Sequence, residues 1–326
     1  MSPPHPTLIF GTGNLGGPWP NPAKSEKGFA GTLEALDRLG IKRLDTAGNY
    51  PPGGTPGDSE KIIGASGVAS QPAGFQVDTK IVWPSGTAEG SLTAANIDSS
   101  VVKSLENLGV DQINVLYPHW PDPATPLEEQ VEGFEEQRRK GRCRQIGISN
   151  FTPQMVEDWV AICKRKGYAL PVAHQGNYSL AFRHDEATLF PVLRRHGISI
   201  IAYSSLASGF LSGRLTEGTV EENPCAPAAD PGCTRHQPRG RRVALDRVPL
   251  GPARRLGDAI LLGASRTEQV EQSAAAIAEG PLPADVVEGI EAIWAKAAAA
   301  IPAPSLEAGS GALADAVSKG LDAGQE

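Results

Sequence analysis

Apolar residues recur along this chain in two alternating rhythms. Short apolar or β-branched runs come first: Leu8-Ile9-Phe10 ending at Gly11, then 43–46, 75–81, 112–117 stopped by Pro118, 145–148, 172–175, 198–203 and 259–263. Between them apolar side chains fall three and four residues apart, as with Phe29, Leu33, Leu36 and Leu39, or Ile97, Val101, Leu105 and Leu108. The first rhythm predicts strands and the second predicts helices, over 25–39, 58–65, 93–108, 126–140, 152–166, 185–196, 267–279 and 284–299. Local chemistry agrees with these boundaries. Gly40 and Gly109 stand where helices should stop, Thr152 where one should be capped, and Pro126 where one should start. The helix over 126–140 carries acids early and Arg138, Arg139 and Lys140 late, as the helix dipole favours.

Strands that alternate with helices in this way specify a parallel sheet with crossover helices, and eight such units close into a (β/α)8 TIM barrel of the α/β class. One segment breaks the pattern. Between strands seven and eight, over 214–256, prolines at 224, 227, 231, 238, 249 and 252 and an Arg/Pro cluster over 235–255 forbid a long helix. The helix expected there reads as degraded or replaced by a Pro/Arg-rich loop. The expected organisation is one barrel domain over 1–300, including a C-terminal helix, and then a small-residue tail over 301–326 that is partly disordered.

Composition narrows the functional classes. The 326 residues are 40% hydrophobic and 21% charged, which suits a globular chain. A net charge of −7 and the lack of a long basic run argue against a nucleic-acid partner. No apolar stretch is long enough to span a bilayer. Cys143, Cys163, Cys225 and Cys233 form no CxxC pair, and with no signal peptide in view they read as reduced thiols of a cytoplasmic protein. No His/Cys cluster has metal-ligand spacing. Gly11 to Gly17 superficially resembles a dinucleotide fingerprint, but Pro18, Pro20 and Pro22 stand where that motif needs a helix.

In such a barrel, chemistry collects at the C-terminal ends of the strands. The octapeptide RLDTAGNY, 43–50, puts Asp45 and Tyr50 there. Alone it reads first as a surface turn whose Asp caps the loop, and only its placement with the residues below makes it a site. Lys80 ends strand three, His119 follows strand four, Ser149 and Asn150 end strand five, Gln175 strand six, Tyr203 and Ser204 strand seven, and Ser265 and Arg266 strand eight. Asp, Tyr, Lys and His together suit proton transfer at a carbonyl. An ammonium at Lys80 is expected to lower the pKa of Tyr50, Asp45 to keep Lys80 charged, and His119 to hydrogen-bond a carbonyl oxygen. The accompanying hydride requires a cofactor.

These motifs resemble the aldo-keto reductase family: GTG at 11–13, LDTAGNY at 44–50, DTK at 78–80, HWPD at 119–122, GISNF at 147–151, HQGNYS at 174–179, AYSSLASGFLSG at 202–213 and LLGASRTEQVE at 261–271. The segment 178–198 resembles the aflatoxin-aldehyde reductase branch and its fungal relatives. The resemblance implies Tyr50 as general acid in a tetrad with Asp45, Lys80 and His119, and NADPH bound at the barrel mouth without a Rossmann domain. It implies Ser149, Asn150 and Gln175 on the nicotinamide carboxamide, and Tyr203 stacked on the ring. Ser204, Leu206 and Gly209 would lie along the pyrophosphate, with Ser265 and Arg266 at the 2′-phosphate, Gln269 and Gln272 at the adenosine, and Gly263 also on the cofactor. Trp83 and Trp120 would wall the pocket of a small carbonyl substrate. Such a protein is expected to be a monomer or homodimer.

Departures from the family pattern fall on the nucleotide side. Tyr203-Ser-Ser-Leu replaces Tyr-Ser-Pro-Leu or Tyr-Asn-Pro-Leu, and Gln272-Ser273 stands where Glu-Asn is usual. The composition of 214–255 changes abruptly between family-like flanks, as a frame or splice disruption would produce; a transcript reading through these residues in one frame would exclude it. Three other readings follow: an impaired or non-catalytic nucleotide-binding relative, the inactive product of a damaged gene, and a barrel aldolase with Lys80 as Schiff base.

Overall fold

The computed structural model describes residues 6–18, 26–69, 74–83, 88–180, 182–207, 257–280 and 282–298. Gly209, the segment 214–256, Cys225, Cys233 and the tail 301–326 lie outside them. Strands and helices alternate as the periodicity predicts: β1 Thr7–Gly11, α1 Glu26–Arg38, β2 Arg43–Asp45, α2 Asp58–Ala65, β3 Gln76–Lys80, α3 Ala94–Leu108, β4 Ile113–Tyr117 and α4 Leu127–Arg139. Then come β5 Cys143–Ile146, β6 Ile148–Ser149, α5 Pro153–Lys166, β7 Ala173–Asn177, α6 Asp185–Arg195 and β8 Ser199–Tyr203. After the undescribed segment follow β9 Ala259–Gly263, α7 Thr267–Ala278 and α8 Ala284–Ala297.

Every strand pairing among the described residues is parallel, in the order β5-β4-β3-β2-β1-β9-β8-β7-β6. The sequence reads 145–148 as one strand; the structure divides it at Gly147. β5 pairs with β4, β6 pairs with β7, and the ring closes through that residue. Gly147 N donates to Leu116 O at 3.0 Å, and Val172 N to Ile146 O at 2.9 Å. A side chain at 147 has no room, because a Cβ there would stand 2.1 Å from Cε1 of Tyr117. The outcome is a (β/α)8 barrel whose fifth strand is shared between two neighbours.

Helix ends follow the sequence signals. Thr93 and Thr152 cap α3 and α5, their side chains accepting from Asn96 N and Met155 N, each at 3.3 Å. Gly109 ends α3 at φ 64°, a left-handed conformation that glycine adopts freely.

The apolar residues form two bodies. The larger lies between barrel and helices and includes Phe29, Leu36, Leu44, Val77, Ile97, Val101, Phe134, Trp159 and Ile260. The smaller joins Ile9, Val115, Tyr117, Ala173, Ile201 and Ala259. These come from β1, β4, β7, β8 and β9, on both sides of the ring, so this cluster lies in the barrel interior, which a barrel fills with side chains. Cys143 and Cys163 are free and buried, and burial pushes their thiols up to about 12 and about 11. No helix among the described residues is long and apolar enough to cross a membrane.

Candidate active site

Asp45, Lys80, Tyr50 and His119 meet at the C-terminal mouth. β2 ends at Asp45 and β3 at Lys80, adjacent parallel strands in register. Lys80 Nζ donates to Asp45 Oδ2 at 2.6 Å and to Thr46 O at 2.8 Å. Both side chains are almost wholly removed from solvent, 1% and 2% exposed. Isolated charges would not be stable at that depth, whereas a paired and hydrogen-bonded couple is. The other carboxylate oxygen is also engaged, because Gln175 Nε2 on β7 reaches across the barrel to Asp45 Oδ1 at 2.7 Å. Below it, Thr12 N and Thr12 Oγ1 both donate to Asp45 O at 2.9 Å, which fixes β2 against the end of β1.

Tyr50 stands on the loop after β2. Its ring centroid lies 5.4 Å from Lys80 Nζ and 5.6 Å from the His119 ring, edge to face. Trp83 also packs on the His119 ring, at 5.0 Å, and its backbone N–H is held by Asn49 Oδ1 at 2.9 Å. Trp120 follows His119 and is half-buried. Asp122 ties the two loops together, accepting from Gly90 N, Leu92 N, Ala124 N and Thr125 Oγ1. Two ring nitrogens here, His119 Nδ1 and Trp83 Nε1, are buried without a hydrogen-bond partner. Buried polar atoms are normally satisfied, so this corner holds unspent donor and acceptor capacity.

The electrostatics refine the expectation for the phenol. Burial raises the pKa of Tyr50, Lys80 lowers it, Asp45 raises it, and the net direction is up. The expected pull of Lys80 is present, but desolvation outweighs it. Burial works against the Lys80 ammonium, yet Asp45 and Tyr50 favour it and the net direction is again up. His119 is pushed down to about 3, by burial first and by Lys80 second, so the imidazole is neutral at physiological pH.

The remaining expected residues line the strand ends around the same mouth. Ser149 Oγ accepts from Asn150 Nδ2 at 3.1 Å and keeps its own proton to donate. Asn150 Nδ2 also donates to His119 O at 3.0 Å, and Tyr203 OH donates to Asn150 Oδ1 at 2.8 Å. Asn150 therefore braces the His119 loop against β8. Gln175 spends its N–H on Asp45 and keeps Oε1 as an acceptor. An acceptor on β7 and a donor on β6, beside the half-buried Tyr203 ring, suit a flat ring carrying a carboxamide. Asn150, Ser204 and Ala207 have φ of 62°, 55° and 47°, left-handed conformations sparse among non-glycine residues. They cluster where the loops after β6 and β8 begin, as ligand-holding loops commonly do.

Leu206 packs against the outer core. Gly263 ends β9 beside Gly11. Ser265 donates through N and Oγ to Gln269 Oε1, at 2.9 and 3.1 Å. Arg266 occupies the N-cap position of α7 and is exposed, as is Gln272 on that helix. An exposed guanidinium at a helix N-terminus is suited to a phosphate.

Sequence reasoning passed over Arg43 and Asp78. Arg43 Nε donates to Asp78 Oδ2 at 2.6 Å and Asn114 Nδ2 to Asp78 Oδ1 at 2.7 Å, directly beneath the site. The signal was a charge at every second position of two buried strands, Arg-Leu-Asp and Asp-Thr-Lys.

The profile described as the Aldo/keto reductase family matches residues 7–295. The chain is 31% identical to oxidoreductase sirO of Leptosphaeria maculans over 334 residues, 93% of this chain and 98% of that protein. It is 29% identical to aflatoxin B1 aldehyde reductase member 2 of Homo sapiens over 324 residues, covering 90% and 87%. To the Mus musculus protein of that name it is 30% identical over 327 residues, covering 90% and 86%.

Proposed function

The chain belongs to the aldo/keto reductase family, a family of oxidoreductases, and on that premise we propose that it reduces aldehydes or ketones to alcohols, with hydride from NADPH and the proton from Tyr50. The observation that carries this reading is the buried Asp45–Lys80 pair set against the Tyr50 ring, with a neutral imidazole packed edge to face on the same ring.

NADPH, when bound, supplies a hydride to the carbonyl carbon. The chain's own groups act on the carbonyl oxygen. Tyr50 keeps its proton at neutral pH because burial raises its pKa, so it meets the substrate as an acid. His119, neutral at that pH, donates a hydrogen bond to the same oxygen and polarises the C=O bond. As the phenol O–H breaks and the alcohol O–H forms, negative charge appears on Tyr50. Lys80 then stabilises it at close range in a low-dielectric site. Asp45, gripped by Gln175 and Thr12, holds the ammonium in place. Solvent returns the proton to Tyr50 after the alcohol leaves.

Ser149, Asn150 and Gln175 would hold the carboxamide, Tyr203 the ring face, and Ser204, Leu206 and Gly209 the pyrophosphate. Ser265, Arg266, Gln269 and Gln272 would take the 2′-phosphate and adenosine, Gly263 would also meet the cofactor, and Trp83 and Trp120 would form the substrate walls. The Schiff-base alternative is disfavoured, because Lys80 is kept charged and spends donors on Asp45 and Thr46, whereas imine formation needs a neutral amine.

The test is an NADPH fluorescence titration of the full chain, followed by a panel of aldehydes and ketones read by NADPH consumption. Saturable binding and turnover are expected. No binding at millimolar cofactor would overturn the reading, and binding without turnover would favour a nucleotide-binding relative.

A further inference from the structure

Beneath the site lies a second buried ion pair that the chemistry above does not use. On β2, Arg43 and Asp45 share one face; on β3, Asp78 and Lys80 share one face. Register sets Asp45 level with Asp78 on the neighbouring strand. Arg43 therefore stands one step below the two carboxylates and Lys80 one step above. The result is a vertical ladder of charge: a guanidinium, two carboxylates side by side, an ammonium. Asp78 is fully buried and takes one hydrogen bond on each oxygen, from Arg43 and from Asn114. Arg43 Nη2 continues to Tyr117 OH at 3.4 Å. The groups facing Asp78 are thus Arg43 and Asp45 on β2, Lys80 on its own strand, and Asn114 and Tyr117 on β4.

We propose that Asp78 is a positioning residue for carbonyl reduction: held by Arg43 and Asn114, it is the second carboxylate that keeps Lys80 charged beneath Tyr50. The inference rests on the reductase reading for its kinetic consequence and on the ladder for its physics. Lys80 stands two residues from Asp78 on the same strand face and is stabilised by it, and the Asp45 charge beside Asp78 raises the Asp78 pKa. Asp45, which bonds Lys80 directly, supplies the larger part of the compensating charge, and Asp78 adds a smaller part from one step below on the same strand face. Burial, partly offset by Arg43, pushes the Asp78 carboxyl up to about 6. Arg43, Lys80 and Tyr117 are all held above their ordinary values, so Asp78 is free to change charge in mildly acidic solution while those three do not.

The test is Asp78→Asn in the full chain, with the pH profile of kcat/KM compared between variant and wild type. With one anion gone, the coupled Lys80–Tyr50 pair gives up its first proton more readily. The alkaline limb is expected to move to lower pH by about one unit, while the Kd for NADPH stays within about twofold. A change in rate or Tm with the limb unmoved would overturn the proposal, since a merely structural residue gives that result. Should the variant fail to fold, the wild-type chain answers by NMR of 13Cζ-labelled tyrosine, with Tyr50 assigned through Tyr50→Phe. Its resonance should move between pH 5 and 7 as Asp78 ionises, and should still do so in Asp185→Asn, which removes the other carboxyl that burial raises to about 6. A flat Tyr50 resonance over that range overturns the proposal. Absence of carbonyl reduction in the wild type would sink the reductase reading, yet this titration would still decide the ladder.

Discussion

The interior of this barrel has two unlike halves. Strands β2 to β4 send in Arg43, Asp45, Asp78, Lys80 and Tyr117, four formal charges and a phenol hydrogen-bonded in two groups, with Val115 as their apolar neighbour. Strands β1 and β7 to β9 send in Ile9, Ala173, Ile201 and Ala259, and among the described residues Gln175 crosses the gap to touch a charge. The difference shows how one small volume can hold both charges and a core. The apolar half excludes water and lowers the local dielectric, which strengthens every interaction in the charged half. The charged half stays tolerable because its charges cancel in pairs. Reactivity is thus assigned to one side and cohesion to the other.

Substitutions can break or sharpen that division. Tyr50→Phe should produce the largest effect, a fall in kcat of about 10²- to 10⁴-fold with NADPH affinity unchanged, measured by turnover and fluorescence titration. Near-normal turnover would place the proton donor elsewhere. Lys80→Met should strike both properties at once. It strands the Asp45 carboxylate in the interior, and urea denaturation should show a stability loss of about 3–5 kcal/mol together with the loss of turnover. Ile201→Ala, in the apolar half, should cost about 2–4 kcal/mol through the cavity it leaves, while kcat changes by less than about threefold. If its kcat fell as far as that of Tyr50→Phe, the two halves would not be separable.

The smallest effect is a pH dependence. His174 is buried and its imidazole is pushed down to about 4, by burial first, while the backbone of Phe151 works the other way. The unfolded chain binds that proton near 6.5, so stability falls as pH drops from 7 to 5, by about 2 kcal/mol from this residue. His119 acts in the same direction. Asp78 acts in the opposite one: its folded value is raised, so its contribution is present at low pH and is lost as pH rises through about 6. Urea denaturation at both pH values should show a smaller acid loss in His174→Gln than in the wild type.

Much of this was legible in the residues. Amphipathic periodicity located α3 because Ile97, Val101 and Leu108 must share a buried face, and they do. Asp45, Tyr50, Lys80 and His119 stood out because polar groups at the ends of buried strands are costly unless used. What escaped depends on distance across the barrel. The bond from Gln175 to Asp45 joins residues 130 apart in sequence, and no local pattern announces it. Arg43 and Asp78 carried a local signal, a charge two residues before Asp45 and before Lys80, but that they pair with each other depends on the register of β2 and β3. The net direction of the Tyr50 shift was not legible either. The sequence names Lys80 as a neighbour, but the depth of burial that outweighs it belongs to the assembled fold.

The seam of this barrel also has a timetable. β1 finds its outer neighbour only in β9, which begins at Ala259, so roughly 250 residues must leave the ribosome between the two. At ordinary elongation rates that interval is on the order of 10–50 s. Throughout it the nascent Thr-Leu-Ile-Phe-Gly edge has unpaired backbone groups and an apolar surface, the combination that invites pairing with another chain. A strand made that late is the one that retires the hazard.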